Sequence, residues 1–187
     1  SVAALYPEVL HLVCHTNSGI RSLRDLSDKR VGIGAPKSGT EQITTNLITF
    51  AGVKLKAEDI AHSSFSSTIN QLKNGKLDAA FFLTGLGTPS IGAALLKDRQ
   101  LMLAPIYTGH AGSDSAEDTA RSFTKGFRIH YPHVTPQTIP LMAYNGKPFF
   151  PIPSLGVQAV LACSRNTDAE VVERITRTIF EHRAVLS

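Results

Sequence analysis

The chain has 187 residues, 42% of them hydrophobic and 18% charged, with a formal net charge of +4. That length and apolar content suffice for a substantial core in one large or two small domains, and no stretch is a low-complexity tail, so a disordered chain is excluded and a compact α/β or α+β protein expected. No apolar run reaches the roughly 18 to 20 residues of a membrane-spanning helix, and Arg21, Arg24, Lys29, Arg30, Lys54, Lys56, Lys125 and Arg128 are scattered without a basic run or interleaved aromatics, which argues against nucleic-acid binding.

"LHLVC" at 10–14 reads as a buried strand, and "SGIRSLRDL" as a turn into a short helix with Ser22 and Asp25 at capping-box spacing. "RVGIG" at 30–34 is a second strand. It runs into a glycine-bearing loop and a helix over 40–51, which places Ile43, Leu47, Ile48 and Ala51 on one side and stops at Gly52. "HSSFSSTINQLKNG" supplies serine caps, a short helix with Ile69 and Leu72 inward, and a Gly75 stop before the strand "LDAAFFL" at 77–83. "TGLGTPS" leads to the helix "SIGAALLKD", and "QLMLAPI" at 100–106 is a further strand. Strands alternating with short helices predict a mostly parallel sheet with crossover helices.

From Tyr107 the pattern changes to a polar stretch, a helix near 116–128, and the proline-punctuated "HYPHVTPQTIPLMAYNGKPFFPIPS", read as loops over a surface or a domain junction. "GVQAVLACS" is again a buried strand. Thr167 and Glu170 then form a capping box for a helix whose apolar side carries Val171, Val172, Ile175, Ile179 and Phe180. A compact α/β lobe is therefore expected over 20–104, flanked by strands at 10–14 and 156–163 that cross between lobes. Cys14 and Cys163 each lie in an apolar run. They are expected to be buried free thiols, with a disulfide open to them if the protein is extracytoplasmic and their strands are neighbours.

The loop "GAPKSGT" carries the chemistry. It is neither a Walker A loop, since Lys37 precedes Gly39, nor a dinucleotide fingerprint, since position 37 is Lys where a third glycine belongs. Ser38, Gly39 and Thr40 nonetheless stand at a helix start with free N–H groups, two hydroxyls and the positive end of the helix dipole, and Lys37 can add charge. A carboxylate or small oxyanion fits that position, while Ser38 or Thr40 as a simple cap is the plain alternative. The turn "LTGLGTPS" at 83–90 follows a strand and precedes a helix in the same way, so the two turns are expected to face one crevice, unless its glycines only close a tight connection. No nucleophile elbow, C-x-x-C or H-E-x-x-H motif is present, so neither an enzyme nor a cofactor is indicated. His11, Cys14 and His15 do not share one strand face, His130 and His133 bracket Tyr-Pro, and no metal site is expected from either group. Asp78 and the acids of 114–118 have no evident partner.

Five segments in order, "ALYPEVLHLVC", "SGIRSLRDLSDKRVGIGAPKSGT", "NGKLDAAFFLTG", "TIPLMAYNGKPFFPIPSLGVQAVLAC" and the last helix, resemble the TAXI-type solute-binding subunits of TRAP transporters, a branch of the type II periplasmic binding proteins. The resemblance implies two α/β lobes, one complete over 20–104 and one partial from 1–19 and 105–187, and a small organic anion such as glutamate held between them. It implies delivery of that anion to membrane subunits, a periplasmic or extracytoplasmic location, and no chemistry. By position it implies Tyr6 near the hinge, Ser38, Gly39 and Thr40 on the ligand carboxylate, Thr84 and Gly85 on the facing wall, and Tyr144 approaching the cleft. Lys37 departs from the glycine usual there, and family members extend further at both ends, which implies a fragment. A sensor domain of a signalling protein is the alternative use of the same lobes, and an enzyme of related fold a third.

Overall fold

Alternation of side chains along one long strand organises the molecule. β1 (Ala3–His15) is buried on both faces from Val9 to Cys14. Leu10, Leu12 and Cys14 enter one hydrophobic cluster and Val9 and Val13 the other, the two faces that a period of two dictates. The computed structural model describes residues 2–97, 100–108 and 116–182, with Lys97, Ala116 and Glu117 described by backbone alone.

The other strands are β2 (Val31–Gly32), β3 (Ile60–Ala61), β4 (Ala79–Thr84), β5 (Leu101–Ala104), β6 (Thr135–Ile139) and β7 (Ile152–Leu161). They form one seven-stranded sheet in the order β3-β2-β4-β1-β7-β6, with β5 also paired to β1. One edge of β1 carries β4. The other carries β5 along Leu12–His15 and β7 along Ala3–Val9.

The helices are α1 (Gly39–Phe50), α2 (Phe65–Lys73), α3 (Pro89–Lys97), α4 (Ala116–His130) and α5 (Ala169–Glu181), with a 3-10 turn at Leu23–Leu26. Ile43 and Leu47 of α1 and Phe127 of α4 cover one face of the sheet, against Phe81 and Leu12. Ile69 and Leu72 of α2 and Ile91 and Leu95 of α3 cover the other, against Phe82 and Val13. The result is the α/β class that the alternation predicts.

Its direction differs in part from the expected mostly parallel sheet. β3, β2 and β4 are mutually parallel, and β5 runs with them because β4 and β5 are each antiparallel to β1. The strands of 31–104 therefore share one sense, as crossover helices require. β1 enters between them in the opposite sense, and β7 and β6 add antiparallel pairs, so among the described residues antiparallel pairings number four and parallel ones two. A hydrophobic run carries no mark of direction.

Several boundaries also move. β1 begins at Ala3 because main-chain pairing with β7 holds Ala3 and Ala4, although Ala4 to Pro7 are exposed and pack in neither core. β6 lies inside the proline-rich stretch read as loop; its Pro136 is tolerated because β6 ends the sheet order and needs to pair on one side only. α5 is capped by Asp168, whose Oδ1 accepts from Glu170 and Val171 N–H at 2.9 and 3.2 Å, so Thr167 is not the cap. None of its residues is buried. The cysteines are both free, Cys14 buried and Cys163 exposed. Their strands are neighbours, but the β1–β7 register sets Leu161 beside Ala3; Cys14 then lies more than about 30 Å along the strand from Cys163, too far for a bridge.

Candidate functional site

β2 and β4 are adjacent and parallel, yet the helices that follow them go to opposite faces: α1 joins the cluster with Phe81, α3 the cluster with Phe82. In open α/β sheets a divergence of this kind marks the place of a crevice, beyond the carboxyl ends of the strands. The sequence builds the first wall through a tight turn. Gly34 sits at φ +104°, and a Cβ there would meet the Thr40 Cβ at 2.8 Å and the Glu41 nitrogen at 3.0 Å. Lys37, at φ +64°, reverses the chain into α1.

Ser38 is the N-cap of α1, its Oγ accepting from Glu41 N–H at 3.1 Å. The Ser38 N–H donates to the Ala35 carbonyl at 3.1 Å, and the Lys37 N–H donates to Glu41 Oε2 at 2.5 Å. The amides of Gly39 and Thr40 have no partner among the described residues. Of the donors expected to greet an anion, two remain open, and they lie where the helix dipole is positive. Glu41 also pairs with His62 Nδ1 at 2.7 Å, so it brings one negative charge to the rim of this turn.

The second wall is the turn after β4. Thr88 Oγ1 donates to the Gly85 carbonyl at 2.7 Å, which commits its only hydroxyl hydrogen. The 2.8 Å contact between Thr84 and Thr88 is then donated by Thr84. Thr84 Oγ1 and Gly85 O are left as acceptors. The two walls touch: Leu83 N–H donates to Thr40 Oγ1 at 3.4 Å, and the Gly39 Cβ direction meets Leu83 Cδ2 at 3.5 Å. Thr40 therefore keeps its own hydroxyl hydrogen for another acceptor. Tyr6, half exposed, lays its ring edge 3.6 Å from the Cβ direction of Gly85. Tyr6, Gly39, Thr40, Thr84 and Gly85 are thus brought together, with Lys37 exposed at the lip.

Tyr144 departs from the cleft approach that the resemblance implies. It is 2% exposed, and its hydroxyl lies 2.6 Å from His11 Nε2. Burial pushes the phenol up to about 12. It is a core residue because the return segment folds under α3, where the Gly92 Cβ direction meets its ring at 3.5 Å. His11, Cys14 and His15 do not converge either. His11 Nδ1 bonds the Val9 carbonyl and His15 Nε2 the Leu72 carbonyl, at 2.8 and 2.7 Å, while burial raises the Cys14 thiol to about 12. Asp78 has a partner after all: Arg30 grips it through Nε and Nη2 at 3.0 and 2.7 Å, holding the carboxyl below its ordinary range. Asp114 and the Glu117 side chain lie outside the described residues.

Glu41 and Thr88 are the site neighbours that the sequence reading missed. Glu41 had a signal, since Ser38-x-x-Glu41 is capping-box spacing. Thr88 had none, because its role is to orient another hydroxyl.

The sequence model of the NMT1-like family matches residues 1–187. The chain belongs to the NMT1-like family. Solved structures similar to this NMT1-like chain include an ancestral arginine-binding protein bound to glutamine, with TM-score 0.49 and 18% identity over 97% of this chain and 56% of that one. Holo ArgBP from T. maritima has TM-score 0.47 and 12% identity over 97% and 55%. Substrate binding domain 2 of GlnP from Lactococcus lactis, in an open conformation, has TM-score 0.40 and 15% identity over 97% and 55%. The chain spans a little over half the length of each of these structures.

Proposed function

We propose that this NMT1-like chain is part of a type II solute-binding protein and that the crevice beyond β2 and β4 holds a small carboxylate, foremost an amino acid. One observation carries the reading: unpartnered donors face acceptors across a single contact. The Gly39 and Thr40 amides and the Thr40 hydroxyl suit a carboxylate, with Lys37 adding positive charge and Ser38 fixing the turn. Thr84 Oγ1 and Gly85 O suit an ammonium, and Tyr6 covers the side. A zwitterion matches that division better than a dicarboxylate, for which Thr84 has no hydrogen to give. Tyr144 supports the wall from beneath, through His11, and does not touch the ligand.

In this reading residues 20–104 form one lobe that β1, between β4 and β5, and Phe127 of α4 complete, and the outer ends of β1 and β7 lead toward a second. The ligand touches both and so favours a closed arrangement. The protein works outside the cytoplasm, hands its ligand to membrane subunits of a TRAP-type transporter, and performs no chemistry. No cofactor or metal enters this reading. A sensor domain is the alternative use of the same site.

Isothermal titration with glutamate, glutamine, arginine and succinate tests it. Saturable binding of an amino acid is expected, and Thr40→Val should weaken it about tenfold, the worth of roughly 1.4 kcal/mol for one hydrogen bond to a charged group. Absence of heat with every ligand, or equal affinity in the variant, would remove the assignment.

A further inference from the structure

A second cavity, of about 870 Å3, lies between α4 and the β6–β7 pair, below the carboxyl end of β5. It is separate from the crevice beyond β2 and β4 and shares none of its residues. Arg121, Lys125 and Arg128 line it from α4 and Arg21 from the turn after β1; no Asp or Glu lines it. The α4 cations are spaced i, i+4, i+7, which sets all three on one helix face. Like charges so placed repel one another and weaken the helix, unless a counter-charge sits among them.

Asp118 stands three residues before Arg121 on the same helix, but no ion pair joins it or any other described carboxylate to Arg21, Arg121, Lys125 or Arg128. Arg128 is held in place by its Nε–H, which donates to the Val134 carbonyl at 3.1 Å and leaves the end of the guanidinium unengaged. The other walls set polar groups of Gln137 and Thr138 beside a stiff apolar surface. Phe150 and four prolines form that surface. Tyr107, only 4% exposed, contributes a hydroxyl with no partner among the described residues. That hydroxyl is not among the buried unpartnered atoms, so it opens to the cavity, where it can donate to a ligand in place of water.

We infer that this cavity binds a small organic anion bearing two or more negative charges on a flat apolar body, of the class of aryl phosphates and aromatic polycarboxylates. Arginine and lysine engage the charged end, Tyr107 donates to one of its oxygens, and the ring lies against Phe150 and the prolines. The cavity is large enough for such a ligand without any contribution from the amino-acid crevice.

Titration with phenyl phosphate, and with inorganic phosphate and phenol as its two separated halves, tests the inference. Phenyl phosphate should bind at least tenfold more tightly than either half. The double variant Arg121→Gln/Lys125→Gln, on exposed helix positions, should lose at least tenfold in affinity with an unfolding midpoint no lower than the wild type's, and Tyr107→Phe should lose several-fold. Amide shifts on phenyl phosphate addition should fall on α4 and residues 150–154. Equal binding of inorganic and phenyl phosphate would reduce the cavity to a diffuse positive field, and undiminished affinity in the double variant or shifts confined to residues 37–40 would overturn it.

Discussion

His11 shows how one residue decides what its neighbours can do. A carbonyl can only accept, so the 2.8 Å contact with Val9 O fixes a proton on Nδ1, and in the neutral ring that burial favours Nε2 accepts from the Tyr144 hydroxyl. That tautomer is the neutral ring, and it is fully buried. Burial holds its pKa below the ordinary 6.5, with the main chain of Val9 and Phe82 opposing in part. The sign follows: below about pH 6.5 the unfolded chain binds a proton that the folded chain refuses, so stability falls as pH falls. Urea midpoints measured from pH 7.5 to 5 should decline in the wild type, with up to about 1.4 kcal/mol per pH unit from this one proton. His11→Gln, whatever its own cost, should decline less steeply; parallel curves would mean that His11 is protonated in the native state. Nothing local marks this histidine in sequence, since the hydroxyl that fixes it is 133 residues away.

Among the elements, α1 was legible almost whole. Its apolar spacing, its serine and Gly52 stop are local signals, and the helix lies within a residue of the expected place. Ser38→Ala should cost about 1 kcal/mol, since the Glu41 N–H loses its acceptor. Chemical denaturation checks it, and a change below about 0.3 kcal/mol would mean that the Glu41 carboxylate carries the start of the helix alone. β1 was legible only as an apolar run, because the partners that make it central come from β4, β5 and β7, none nearer than 65 residues in the paired register. α5 marks the same boundary from the other side. Its stripe of Val171, Ile175 and Phe180 is correctly amphipathic, yet all three are exposed, because periodicity identifies a sticky face and not what it meets. The crevice was half legible for a related reason. Helix-start amides follow from the local sequence, while the donor and acceptor sorting at Thr84 and Thr88 needs the fold.

At the scale of the molecule the sheet divides the interior into two cores that communicate only through strands. Phe81 and Phe82 are consecutive, yet Phe81 packs with α1 and α4, and Phe82 with α2 and α3. Side chains in the two clusters therefore share no partners, while backbone pairing along β1 and β4 ties them into one unit. Independent packing with cooperative unfolding predicts additivity. Ile43→Val removes a methylene from one core and Ile91→Val from the other, each at about 0.5–1.5 kcal/mol. The double variant should show their sum within about 0.5 kcal/mol, with the denaturant slope unchanged. A coupling above about 1 kcal/mol would mean that the sheet shifts as a body when either face is loosened, so that α1 and α3, which it carries on opposite faces, could not be adjusted separately. Separate transitions seen by probes in α1 and α3 would mean the reverse, that the strands do not bind the two cores into one folding unit.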